Sequence, residues 1–173
     1  MNYNHQAAVD EFMEKAGQAL PKRPGIPNRE TRYLRAKLIL EEAVETIKAL
    51  GFSVAVTSIV GPRDSSSEET FEFCVAKRDG STDVDLVDRF EPDLIEIIDG
   101  CCDISVVTVG TLSACGCEHE TFQREVDASN LRKFGPGGHR REDGKWMKPP
   151  DWKKPDIEGI LKGDKNGVVV YGG

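Results

Sequence analysis

Apolar positions recur at helical spacing in four stretches of the chain and alternate along one stretch between them. Ala8, Phe12, Met13, Ala16 and Leu20 return to one face every three or four residues, which predicts a first helix over about 6–20. Pro21, Pro24, Gly25 and Pro27 break it. Asn28, three residues before Thr31, suits the N-cap of a long second helix ending near Gly51. That helix is two-sided. Ala36, Leu40, Ala43, Ile47 and Leu50 form one apolar stripe, while Leu34, Leu38 and Ala49 share the other side with Arg35, Glu42 and Glu45. Lys37, Glu41 and Lys48 fill the solvated remainder.

The pattern then changes period. Residues 52–60 and 70–76 alternate or carry β-branched side chains, separated by the polar stretch 61–69, and predict an inserted β-hairpin over about 52–77. A polar connector over 83–88 closes the insertion, which spans 52–90 in all. The third helix, about 92–115, is apolar almost all round after Asp99 and is expected to be central and fully buried. Gly100 and Gly110 weaken it as a helix, so each implies the close approach of a neighbouring helix or ligand. A fourth helix, about 118–134, places Phe122, Val126 and Leu131 on its inner face. Beyond Gly135 lies a basic tail, 135–173, without clear periodicity. The expectation is a single all-α domain over 1–173, a four-to-five-helix bundle carrying a hairpin insertion and an extended C-terminal tail.

Composition narrows the class. A chain of 173 residues with 38% hydrophobic and 31% charged residues has the make-up of a globular domain. A net charge of −7 argues against a nucleic-acid binder, which needs a basic footprint. No uncharged apolar run is long enough to span a membrane. Met1–His5 shows no basic region followed by an apolar stretch, so a cytoplasmic location is expected. Five cysteines, an odd number, fit reduced thiols better than a disulfide framework. Cys115 and Cys117 have no second knuckle to complete a zinc site.

The chemistry is concentrated in two acidic clusters. Glu42 and Glu45 project from one helix face, as do Asp99 and Asp103, with Glu96 one turn earlier. Acids on such apolar helices are costly unless a cation compensates them. Facing helices that each carry a carboxylate pair are one way to hold a divalent metal. Oxygen ligands of this kind suit Mg²⁺, with Mn²⁺ as a substitute. Glu96 is the third candidate on its helix, since the first turn favours an acid in any case. The tail adds Lys133, Arg140, Arg141, Lys145, Lys148, Lys153 and Lys154 to an otherwise acidic chain. Metal carboxylates with nearby cations describe a phosphate ester or anhydride substrate. Asn130 and Lys133, at (i, i+3), also read as a capping arrangement. Trp146 and Trp152 either stack on a base or pin the tail, and pinning is the reading preferred here.

Ordered motifs connect these features. Val9-Asp10-Glu11-Phe12, the Pro-rich break, and Glu41-Glu42-Ala43-Val44-Glu45 are followed by Asp99-Gly100-Cys101-Cys102-Asp103, by Ser129-Asn130-Leu131-Arg132-Lys133 and by residues 143–157. In that order they resemble the all-α nucleoside triphosphate pyrophosphohydrolase superfamily, which includes MazG, the phosphoribosyl-ATP pyrophosphohydrolases and the dimeric dUTPases, in its bacterial or phage branch. The resemblance implies a helical homodimer or homotetramer with Mg²⁺ between the acidic helices. It also implies hydrolysis of a nucleoside triphosphate to monophosphate and pyrophosphate, for nucleotide-pool sanitation or remodelling. Metal ligands would be Glu42, Glu45, Asp99 and Asp103, with Glu96 in reserve, and Glu42 or Glu45 would accept the proton from water. Arg35, Asn130, Lys133, Lys145 and Lys148 would grip phosphates or sugar. The expected partners are the nucleotide and further copies of the chain, without nucleic acid or membrane. The MazG form of the second motif is ExxD, and aligning its Asp with Asp103 places Gly100 at the Glu position, so either Asp99 substitutes or Glu96-Ile97-Ile98-Asp99 is the functional ExxD; Asp99 with Asp103 is preferred, with Glu96 third. Two other readings stand beside this one: the phosphoribosyl-ATP pyrophosphohydrolase of histidine synthesis, and a nucleotide-binding regulatory module without turnover.

Overall fold

A computed structural model describes residues 3–55, 59–60, 72–73, 85–142, 144 and 146–163. The fold is all-α with small antiparallel strand pairs. Its elements run α1 (His5–Lys15), α2 (Arg29–Ala49), β1 (Phe52–Ala55), β2 (Ile59–Val60), β3 (Glu72–Phe73), β4 (Asp85–Asp88), α3 (Leu94–Ala114), α4 (His119–Leu131), a 3-10 turn (Arg132–Phe134), β5 (His139–Arg140), β6 (Trp146–Met147) and α5 (Ile157–Lys162). Residues 1–32 and 108–173 form one compact unit, and residues 33–107 form a second. Among the described residues, no helix is long and apolar enough to cross a membrane.

Local chemistry sets the helix ends. Asn28 Oδ1 accepts from Thr31 N at 2.8 Å, so α2 begins at the expected cap. Asp93 Oδ1 accepts from Ile95 N at 2.9 Å and Glu96 N at 3.3 Å, starting α3, and Glu118 caps α4 through Thr121 N at 3.2 Å. The first helix is shorter than its periodicity predicts. It stops at Lys15, and Gly17 follows with φ +71°, a conformation that L side chains rarely adopt.

In the first unit, Val9 and Met13 of α1 and Val109 and Ala114 of α3 are buried. Gln6 ties α1 to the end of α3: its Nε2 donates to Ser113 Oγ and Cys117 O, each at 3.1 Å, and its Oε1 accepts from His119 N at 2.7 Å. The Pro-rich connection runs along the same place, where Gly25 N donates to Cys115 O at 2.9 Å. Cys115 and Cys117 are half-buried free thiols beside it, and burial pushes the Cys117 thiol up, with the neighbouring Cys115 adding to it.

The insertion in the second unit differs from a simple hairpin. β2 and β3 pair as expected, Ile59 opposite Phe73, but β1 pairs antiparallel with β4, Phe52 opposite Asp88. The segment expected to be a polar connector over 83–88 therefore contains a strand, because the β1 backbone must satisfy its hydrogen bonds and 85–88 supplies the partner.

Two burial expectations are also corrected. Arg35 and Thr46 of α2 are buried and Glu42 half-buried, while Leu40 and Leu50 of the predicted apolar stripe are exposed. α3 is buried only toward its C-terminal half; Leu94, Ile95 and Ile98 near its start are 70%, 77% and 57% exposed. Periodicity shows that a helix has an apolar face but does not show which neighbour covers it.

The described residues of the tail form elements that its sequence does not predict. β5 and β6 pair, His139 opposite Met147, and α5 is capped by Asp156, whose Oδ1 accepts from Gly159 N at 3.0 Å.

Candidate active site

In the second unit, α2 and α3 meet at Thr46 and Gly100. A Cβ at Gly100 would lie 3.2 Å from Thr46 Cβ and 3.3 Å from Thr46 Cα, so glycine is required for this approach. Thr46 is buried and its Oγ1 donates to Glu42 O at 2.7 Å, which satisfies the hydroxyl within its own helix. The expectation that Gly100 marks a close helix approach therefore holds.

The acidic residues flank this contact. Glu42 lies one turn before Thr46 and Glu45 immediately before it; Asp99 immediately precedes Gly100 and Asp103 lies one turn after. Glu42 is half-buried, and Glu45, Asp99 and Asp103 are exposed. Partial burial holds the Glu42 carboxyl above the ordinary carboxylate range, and the negative charges of Asp103, Glu45, Glu41 and Asp99 push it in the same direction. The influence of Asp103 and Asp99 on Glu42 shows that the acids of the two helices share one electrostatic field. Glu41 itself faces solvent and pairs with Lys37 at 3.3 Å.

The donor chemistry of this group fits a hard divalent ion, because oxygens carrying uncompensated negative charge are what Mg²⁺ binds. A preformed cage is another matter. Among the described residues, no three acid, histidine or cysteine side chains converge as a ready metal site. The fit therefore lies in ligand type, charge and placement on two packed helices. Glu96 is exposed in the first turn of α3, and it is not among the charges acting on Glu42. Arg35 is 6% exposed and lies two turns before Glu42 on α2. Thr46 is the residue that the sequence reading missed. Its signal was a β-branched polar residue one turn after Glu42 in a helix whose partner carries a mid-helix glycine.

The cationic candidates of the tail belong to the first unit. Lys133 Nζ donates to Asn130 Oδ1 at 2.8 Å, pairing those two at the end of α4. Lys148 Nζ sits 3.8 Å from the centroid of the Trp152 ring. Lys145 lies outside the described residues. Both tryptophans pin the tail. Trp146 Nε1 donates to Lys133 O at 2.6 Å while its ring packs against Phe134, and Trp152 Nε1 donates to Ser129 O at 2.9 Å. Gly138 passes so close to this arrangement that a Cβ there would meet Trp146 Nε1 at 3.0 Å.

Comparison with known proteins bears on this arrangement. A family model described as phosphoribosyl-ATP pyrophosphohydrolase matches residues 9–130, more than half of the chain. The matched region contains Arg35, all the acidic candidates and Asn130, and ends before Lys133, Lys145 and Lys148. No curated protein matches the sequence.

Proposed function

The chain belongs to the phosphoribosyl-ATP pyrophosphohydrolase family, within the all-α MazG-like superfamily, and from that premise we propose that it is a Mg²⁺-dependent hydrolase of a nucleoside triphosphate. The products are the nucleoside monophosphate and pyrophosphate. The observation that carries this reading is the Thr46–Gly100 crossing, which sets Glu42 and Glu45 of α2 and Asp99 and Asp103 of α3 on two packed helices; burial first, and the neighbouring acids after it, hold the Glu42 carboxyl up. Such a concentration of negative charge is destabilising without a cation to meet it.

Glu42, Glu45, Asp99 and Asp103 would hold the metal, with Glu96 as a further ligand candidate. When bound, Mg²⁺ supplies charge neutralisation of the triphosphate and acidifies a coordinated water. The protein's own part is to place and deprotonate. The water oxygen forms a bond to the α-phosphorus, the bridging oxygen bond breaks, and pyrophosphate leaves. Glu42 or Glu45 accepts the proton; a carboxylate whose pKa has been raised is a stronger base at working pH. Arg35, Asn130, Lys133, Lys145 and Lys148 supply charge-assisted hydrogen bonds to phosphate and sugar.

Nucleotide-pool sanitation or remodelling in bacterial cytoplasm, or in a phage-infected host, is the role we propose. The family description itself favours a second substrate, phosphoribosyl-ATP, which is also a 5′-triphosphate and would undergo the same cleavage. A pyrophosphate-release assay over NTPs, dNTPs and phosphoribosyl-ATP, scored as kcat/KM with and without Mg²⁺, separates these readings. Metal-dependent pyrophosphate release from at least one triphosphate is the expected result. Orthophosphate as the sole product overturns the assignment, and tight binding without turnover points to a regulatory module.

A further inference from the structure

The segment after residue 130 lies outside the matched family region, and its described residues include a side-chain arrangement fixed at several points. We infer that Trp152 is a positioning residue for Lys148, presenting its ammonium to the phosphate chain of the substrate; this rests on the reading above that Lys148 grips phosphate.

The arrangement is built step by step from the sequence. Pro149-Pro150-Asp151-Trp152 forms a turn closed by Trp152 N donating to Pro149 O at 3.1 Å, with Pro150 restricting the backbone at its second position. The chain is thereby folded back so that the Trp152 ring comes under the residue just before the turn, Lys148, whose Nζ lies 3.8 Å from the ring centroid. At that distance the cation is attracted by the negative face of the ring. The ring is fixed at its edge as well, because Nε1 donates to Ser129 O at 2.9 Å. Ser129 is 1% exposed and its Oγ donates to Lys153 O at 3.2 Å, so one buried residue of α4 holds both Trp152 and its successor. On the other side of the turn, Gly137 leaves room for the prolines: a Cβ there would meet Pro150 Cδ at 3.1 Å.

Two consequences follow. A lysine side chain loses much rotamer freedom when it binds a ligand, and a cation already held over a fixed ring has lost part of it beforehand. One face of the ring is occupied by Lys148 and its N–H by Ser129, so Trp152 is assigned to phosphate affinity, with the same effect expected for every base.

The test uses the full chain with Lys148→Ala, Trp152→Leu, Trp152→Phe and the Lys148→Ala/Trp152→Leu double variant, each checked for folding by circular dichroism. Tripolyphosphate binding is measured by calorimetry, and KM and kcat are measured for one purine and one pyrimidine triphosphate. Lys148→Ala is expected to raise KM about tenfold, the low end for losing a charge-assisted hydrogen bond, and to affect KM more than kcat. Trp152→Leu should raise KM by the same factor for both bases, Trp152→Phe should fall between it and wild type, and the double variant should be no worse than Lys148→Ala alone. Additive losses in the double variant, or a loss that depends on the base, overturn the inference. NMR separates its failure from that of the underlying reading. An upfield ring-current shift of the Lys148 ε-methylene protons, lost in Trp152→Leu, is expected whatever the lysine binds, and its absence in wild type overturns positioning. Unchanged KM and tripolyphosphate binding in Lys148→Ala, with the ring-current shift present, overturn the phosphate role and the inference with it.

Discussion

Gly100 of α3 packs directly onto Thr46 of α2, close enough that a Cβ on Gly100 would lie 3.3 Å from the Thr46 main chain at Cα. This contact leaves no space for a side chain at position 100. A glutamate there would clash with Thr46, and Asp99 precedes it in the chain. The contact also brings the acidic turns of the two helices to either side of one crossing, which explains why Asp103 and Asp99 act on Glu42.

Gly100→Ala tests the crossing. The added methyl gains about 1 kcal/mol of helix propensity but must displace Thr46, and overpacking of this kind costs roughly 1–3 kcal/mol. Net destabilisation in chemical unfolding is the expected outcome, with partial recovery in Gly100→Ala/Thr46→Ala, which removes the hydroxyl. A Gly100→Ala protein more stable than wild type would show that the helices are not in contact there.

The state of Glu42 predicts a stability trade. Its carboxyl is raised in the folded protein by burial first and by Asp103, Glu45, Glu41 and Asp99 after it, so the folded state binds that proton more tightly than the unfolded chain does. The associated stability is fully present below the unfolded carboxylate value of about 4.3 and is lost as pH rises through the higher folded value. Glu42→Gln should therefore melt higher than wild type at neutral pH in chelator-treated buffer, and the pH dependence of melting should flatten. Added Mg²⁺ should raise the melting temperature of wild type more than that of the variant. A variant that melts lower at neutral pH would contradict the charge repulsion.

Activity should separate the acids of α2. Glu45→Gln and Asp103→Asn retain size while removing charge, and each is expected to lower kcat by about two orders of magnitude or more. Glu41→Gln should change it little, since Glu41 faces solvent and pairs with Lys37. Equal losses at positions 41 and 45 would mean that the wrong helix face has been assigned to metal binding.

Exposed apolar residues predict assembly. Tyr33, Leu40 and Val44 on α2, and Leu94, Ile95 and Ile98 on α3, are left uncovered within the chain. Large exposed apolar side chains on two long helices favour an interface, and self-association through a symmetric contact would cover them on both copies. A homodimer or homotetramer is expected by light scattering at micromolar concentration, with Val44→Glu or Ile98→Glu shifting it toward monomer. An active monomer would refute this. Mixing Asp103→Asn with Lys145→Ala then asks whether subunits share a site: recovered activity shows that they do, and no recovery places both halves in one chain.

The sequence by itself determined the helices, their starts and the spacing of the acids. Asn28 caps α2 through Thr31, Asp93 caps α3 and Glu118 caps α4 because capping involves residues only two or three apart. The (i, i+3) and (i, i+4) pairing of Glu42 with Glu45 and of Asp99 with Asp103 follows from helix geometry alone. Tertiary structure decided the rest. It buried Arg35 and Thr46 and left Leu40 exposed, paired β1 with β4 across some thirty residues, and fixed the tail through indole bonds to Lys133 O and Ser129 O. A carbonyl that accepts from an indole far along the chain, or a glycine that admits a threonine from another helix, leaves no periodic trace, because each depends on which distant segment arrives to meet it.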